Sequence, residues 1–375
     1  QTGVTELPDQ RYHLLVWNSF SLWRSETYRV TLAAVGPPQA LTFDALGRAA
    51  TTASLDAAGE HAIYTVSLQE GDGLHVRLRR GSEDPVQALQ RASFRVSRVG
   101  SGKPWAGEEV YYDVARDPGV YDALDAFQLR APAAGTYAIE VFNYDYTTSR
   151  AELGQFALSL ERAVSAAEIT VDDDGTCPDA TTTSVLAATR AVSDSGTVKV
   201  CEGTYPLSLP VQLDATGVTL QGPSGENRAT IEYTHPYHRD DGRTAIQMNA
   251  VGLTLKDLTL TYLLPRYWKH GGRALIGDTP SAFSPRPPDG LTLRNLELDV
   301  ERHSKYVSNG ISLRATPVSS SVGAAEILIE DLELSGMRRG IRLRDSDAVT
   351  IRSLSMSVQE PFDLREVGRV VLEDN

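Results

Sequence analysis

Val251-Gly-Leu-Thr-Leu-Lys-Asp-Leu-Thr-Leu260 returns almost unchanged as Asp289-Gly-Leu-Thr-Leu-Arg-Asn-Leu-Glu-Leu298. It returns again as Ala325-Glu-Ile-Leu-Ile-Glu-Asp-Leu-Glu-Leu334 and as Ala348-Val-Thr-Ile-Arg-Ser-Leu-Ser-Met356. The pivots of these copies are Asp257, Asn295, Asp331, Ser353 and, at the next return, Asp374, separated by 38, 36, 22 and 21 residues. Self-similarity of this kind marks a solenoid, in which each rung buries its apolar columns only against its neighbours. The two short intervals suit a bare rung, and the two long ones imply an insertion of about 15 residues in each rung. The pivots are read as turn residues that tolerate left-handed backbone, in preference to ligands.

Upstream of the repeats, Ile169-Thr-Val-Asp-Asp-Asp-Gly175 reads as a strand ending in an acidic turn. Ser184 to Val192 reads as the one short helix, and Thr197-Val-Lys-Val-Cys-Glu-Gly-Thr-Tyr205 as a strand after an Asp-Ser-Gly turn. That order resembles the N-terminal cap of right-handed parallel β-helix proteins of the pectin-lyase-like type. The resemblance implies a right-handed single-stranded parallel β-helix over residues 166–375, and it places Cys177 and Cys201 on neighbouring segments. These are the chain's two cysteines. With no further soft ligands nearby a metal site is disfavoured, and a disulfide is preferred to two buried thiols, which points to an oxidising compartment.

The first half has a different grammar. His61-Ala-Ile-Tyr-Thr-Val-Ser-Leu68 alternates apolar and polar residues, Glu70-Gly-Asp-Gly73 turns the chain, and Leu74-His-Val-Arg-Leu78 alternates again. Ala126-Phe-Gln-Leu129 leads through Ala131-Pro-Ala-Ala-Gly135 into Thr136-Tyr-Ala-Ile-Glu-Val141. Strands of this length and spacing predict a β-sandwich over residues 37–165. The stretches at 64–78 and 125–160 resemble the bacterial pre-peptidase C-terminal (PPC) family, which implies a jelly-roll-like accessory module that binds or spaces. Residues 12–32 repeat 137–160: Tyr12, Val16, Trp17 and Asn18 match Tyr137, Val141, Phe142 and Asn143, and Tyr28 and Leu32 match Phe156 and Leu160. Residues 1–36 therefore read as the terminal hairpin of a preceding sandwich. The β-helix, too, reads as incomplete at its C-terminal end, and the expectation is an excerpt of a longer modular protein.

The fold class expected is all-β, a sandwich followed by a parallel β-helix. With Lys+Arg 36 against Asp+Glu 49, the net charge of −13 argues against a general nucleic-acid binder. No apolar run approaches the roughly 20 residues of a transmembrane helix.

Candidate chemistry sits on the second half. Aligning the rungs puts Ile246, Ile276, Ile311, Ile341 and Phe362 in one inward column and Arg314, Arg344 and Arg365 in an outward one. Arg342 shares the outward face of Arg344, with Asp363 stacked beside it. Stacked guanidinium groups bind carboxylates of an acidic glycan well, or form local pairs with acids such as Asp345 and Asp347. The insertions hold His235, His238, His270 and His303 beside Tyr237, Tyr267, Trp268 and Lys269, a set suited to sugar stacking. His235 and His238 with Asp240 and Asp241 read as an exposed loop sooner than a metal site. Asp172, Asp173 and Asp174 read either as oxygen ligands for calcium or as an acidic turn that satisfies its own backbone. Ser308-Asn-Gly-Ile-Ser312 is faintly similar to a polygalacturonase neighbourhood, but no pair of carboxylates for hydrolysis stands out on one face. Three functions follow. The leading one is a structural or adhesive part of a secreted or cell-surface protein that contacts acidic polysaccharide, its partners being flanking modules or neighbouring subunits. The others are a polysaccharide lyase or glycoside hydrolase and a non-catalytic carbohydrate-binding protein.

Overall fold

A computed structural model describes residues 37–56, 61–82, 93–99, 123–142, 154–225, 227–234, 244–263, 274–277, 290–300, 309–314, 326–344, 346 and 348–374. The hairpin expected over 1–36 lies outside them, as do the insertions.

The alternating segments of the first half form two four-stranded sheets. Strands β1 (Gln39–Ala40), β2 (Arg48–Leu55), β3 (His61–Leu68), β4 (Gly73–Arg80), β5 (Ser93–Arg98), β6 (Ala123–Arg130), β7 (Gly135–Phe142) and β8 (Gly154–Ala163) pair in the orders β1-β3-β7-β5 and β2-β8-β4-β6. All pairings are antiparallel except β1 with β3. Each strand sends every second side chain inward, so Tyr64, Val66 and Leu68 meet Leu74, Val76, Leu78, Phe156 and Leu158 in one core.

From β9 (Ala166–Val171) onward every pairing between strands is parallel. After helix α1 (Val185–Ala191), one turn of the coil is β10 (Val192–Val200), β11 (Gly203–Leu207) and β12 (Val211–Leu213). The next is β13 (Thr219–Gln221), β14 (Ala229–Thr234) and β15 (Ile246–Met248). Later turns fuse the first two segments. They are β16 (Thr254–Leu263) with β17 (Ala274–Gly277), β18 (Leu291–Val300) with β19 (Asn309–Arg314), and β20 (Glu326–Ser335) with β21 (Arg339–Arg344). The last are β22 (Ala348–Ser357) with β23 (Glu360–Arg365), and then β24 (Arg369–Glu373). The result is a parallel β-helix, right-handed by the general chirality of parallel crossovers. It has three faces: one through β9, β10 and β13 and the leading halves of the long strands, one through β11, β14 and the trailing halves, and a third, face three, through β12, β15, β17, β19, β21 and β23.

The pivots explain how one strand serves two faces. Asp257, Asn295, Asp331, Ser353 and Asp374 all have φ between 49° and 60°. A single left-handed residue turns the chain and shifts the alternation, so that Leu253 and Leu255 before it and Leu258 and Leu260 after it are all buried. At the corner before the first face, Gly217, Gly252 and Gly290 stack with φ of 70°, 69° and 68°. A Cβ on Gly290 would lie 3.4 Å from the Cα of Gly252, so the column packs backbone on backbone.

Two local expectations differ from the structure. The Asp-Ser-Gly segment at 194–196 is not a break but a bulge inside β10, where the register with β9 shifts between Val192 and Thr197 and Ser195 takes φ 57°. The strand expected over 197–205 divides at Cys201 into β10 and β11, because the coil must turn a corner there.

The sandwich and the coil meet at α1. Ser184 caps the helix, its Oγ accepting from the Ala187 amide at 3.2 Å. Val185, Leu186, Ala187, Ala188 and Ala191 are all buried in the β-helix core, while β4, β6 and β8 pack on the same helix. Gly73, read from sequence as a turn residue, opens β4 at this seam, and a Cβ there would sit 1.9 Å from the Ala187 carbonyl oxygen. Gln128 of β6 donates to the Pro210 carbonyl at 2.7 Å, and Arg130 donates to the Val192 carbonyl at 2.9 Å.

Candidate functional site: the arginine-bearing face

Face three carries the outward residues singled out in the sequence. Its register aligns Ile246 with Ile276, Ile276 with Ile311, Ile311 with Ile341 and Ile341 with Phe362. The four isoleucines are fully buried, whereas Phe362 is 36% exposed. Arg314 aligns with Arg344 and Arg344 with Arg365. Neighbouring strands sit about 4.8 Å apart, so the three positions form a column of one residue type. One step away, Ser312, Arg342 and Asp363 align, and beyond them Asn309, Arg339 and Glu360.

The acids of this patch are each shared by two arginines. Glu360 meets Arg338 at 3.0 Å and Arg339 at 2.5 Å. Asp363 meets Arg365 at 2.9 Å and Arg342 at 3.3 Å. Arg344 forms no ion pair among the described residues; Asp345 and Asp347, which follow it, are not described. Among the described side chains, five arginines (338, 339, 342, 344, 365) face two carboxylates (360, 363), an excess of three positive charges in a chain whose net charge is −13. The electrostatics follow. Burial and then the neighbouring charge of Arg344 push the Arg342 guanidinium below its ordinary range, with Asp363 opposing. The Arg365 hydrogen bond holds Asp363 below the usual carboxylate range, and those from Arg339 and Arg338 do the same for Glu360. Such a surface can take a bidentate carboxylate or sulfate at the unpaired edge of its guanidinium groups.

The loop residues His235, His238, Tyr267, Trp268 and Lys269 lie outside the described residues. In chain order, 235–243, 264–273 and 301–308 precede β15, β17 and β19.

Nearer the cap, face three carries a polar ladder that the sequence reading missed. Arg190 of α1 donates to Gln212 and pairs with Asp214. Gln212 then donates to Gln247 at 3.1 Å, and Asn249 donates to Asp214 at 2.6 Å. The signal was present: Val-Gln-Leu-Asp at 211–214 and Ile-Gln-Met-Asn at 246–249 repeat one polar pattern on successive rungs. Also unread was the buried group at the seam, where His75 Nδ1 lies 2.8 Å from Glu161 and Ser184 Oγ lies 3.4 Å from the same nitrogen. A serine nucleophile and its acid must sit on opposite ring nitrogens, and here both share one, so this is a structural network.

At the cap, Cys177 and Cys201 are disulfide-bonded, with Cα atoms 6.4 Å apart. Asp172, Asp173 and Asp174 bring carboxylate oxygens within 4.8 Å of one another. Among the described residues no helix is long and apolar enough to cross a membrane.

No family model and no curated protein matches the chain. Among solved structures, it is similar to a periplasmic inhibitor of g-type lysozyme from Aeromonas hydrophila at 19% identity, over 34% of this chain and 96% of that one, with a TM-score of 0.23. It is also similar to the catalytic domain of a GH87 alpha-1,3-glucanase in complex with nigerose, at 12% identity over 86% of this chain and 89% of that one, with a TM-score of 0.16. Neither likeness is close enough to carry an argument, and the fold rests on the chain's own strand pairings.

Proposed function

We propose that this chain is part of a secreted or cell-surface modular protein whose β-helix contacts acidic polysaccharide through face three, with the sandwich, PPC-like in its sequence, as a spacer locked onto the coil. The observation that carries the reading is the in-register column of Arg314, Arg344 and Arg365 beside Arg342. Like charges at strand spacing repel, and among the described residues two carboxylates, Glu360 and Asp363, pair with arginines of this patch, so an anionic chain laid along the column would relieve the remaining repulsion. The disulfide supports an extracytoplasmic setting. Calorimetric titration with polygalacturonate against neutral dextran tests the reading. Binding to the acidic polymer alone, weakened in Arg344→Ala and by added salt, is expected. Equal binding to both polymers, or to neither, overturns it.

A second reading, a polysaccharide lyase, rests on the same in-register guanidinium groups, which would hold a uronate carboxylate in place during β-elimination. Incubation with uronate polymers, following absorbance of unsaturated ends with and without calcium, decides it; no absorbance change removes the lyase.

A further inference from the structure

We propose that Asp172, Asp173 and Asp174 form a binding site for a hard divalent cation, of which calcium best suits the donors. Each carboxylate is held by a different backbone amide. Asp172 Oδ2 accepts from Cys177 at 2.8 Å, Asp173 Oδ2 from Thr204 at 3.3 Å and Asp174 Oδ1 from Thr176 at 2.9 Å. Every one of them thus keeps a second oxygen for something else, and oxygens of the three lie within 4.8 Å of one another.

The independent observation is Asp172 itself. Its side chain is wholly buried, 0% exposed, and its Oδ1 has no hydrogen-bond partner. A buried carboxylate oxygen left unpaired carries the full desolvation penalty of a charged group with nothing to offset it. No lysine or arginine among the described residues pairs with any of the three acids. Oxygen-only donors from three carboxylates suit calcium, which takes 6–8 oxygens at about 2.3–2.6 Å, and exclude soft metals.

The position gives the site a role. Residue 172 follows β9, its amide donates to the Thr182 carbonyl at 3.0 Å, and Cys177, whose amide holds Asp172, is bridged to Cys201. An ion here would tie the first rung to the cap beside the disulfide.

The test is calorimetric titration of chelator-stripped full chain with calcium chloride and magnesium chloride, with thermal unfolding in calcium and in EDTA. One-site heat with calcium and a higher Tm in calcium than in EDTA are expected. Absence of heat with both ions together with a Tm indifferent to calcium overturns the site. Asp172→Asn should abolish binding. Should that buried variant fail to fold, Asp174→Asn, at an exposed position, should weaken calcium binding by about tenfold or more. Undiminished binding in Asp174→Asn also overturns the proposal.

Discussion

Asn295 donates through Nδ2 to Oδ1 of Asp257 at 2.7 Å, across 38 residues of sequence, and both residues are the left-handed corner of their own rung. Arg228 closes the arrangement by donating to Asn295 Oδ1 at 2.6 Å. The corner residue therefore does two things: it takes a backbone that most side chains resist, and it bonds to the corner below.

Asn295→Ala loses both. Left-handed backbone at a non-glycine residue and the lost hydrogen bonds together should cost about 2–3 kcal/mol. Asn295→Gly restores the backbone freedom and should cost about 1 kcal/mol less than alanine. Urea denaturation of the three proteins measures both, and equal losses for alanine and glycine would show that the backbone contributes nothing.

The seam should respond to acid. Burial alone would raise the Glu161 carboxyl, but the His75 hydrogen bond and charge, Arg77 and Ser184 outweigh it and hold the group at about 2, below its ordinary 4.5. Between these values the unfolded chain binds the proton that the folded one refuses, so stability is full above pH 4.5 and falls as pH drops towards 2. Unfolding free energy measured across that window should decline less steeply in Glu161→Gln. An unchanged slope would remove Glu161 as the cause.

Gly73→Ala inserts a methyl where the Ala187 carbonyl oxygen stands 1.9 Å away, backbone against backbone. The strand and α1 must separate, at a cost of about 1–3 kcal/mol. Since the sandwich and the coil have separate cores, calorimetry should show one wild-type transition resolving into two in the variant. A single unshifted transition would mean that the seam does not couple the cores.

Replacing Cys177 and Cys201 together by serine releases a cross-link between residues 24 apart. Loop-closure entropy puts the loss at about 3 kcal/mol, read as a lower denaturation midpoint. The wild-type protein under reductant should show the same shift.

Much of the coil was legible because each rung repeats its own instructions. The apolar alternation says which side chains go inward, and the pivot says where the chain turns, so aligning Val251–Leu260 with its copies was enough to stack Arg314, Arg344 and Arg365 in register. The disulfide was legible for a simpler reason, there being two cysteines and a cap that makes them neighbours. The turn at 70–73 was legible, but the approach of Gly73 to Ala187 was not, because a glycine that permits a turn and one that permits close approach look identical in sequence.

What the sequence determined by itself was therefore everything periodic: two strand grammars, the left-handed corners, the inward isoleucines and the arginine column. Tertiary structure alone decided the contacts that occur once. His75 meets Glu161 from 86 residues away and Ser184 from 109. Arg190 reaches the first rungs of face three, and Asp172 turns inward while Asp173 and Asp174 stay exposed. The physical reason is that a repeated interaction leaves a period to be read, whereas docking a sandwich on a helical cap depends on shapes that meet only after both have folded.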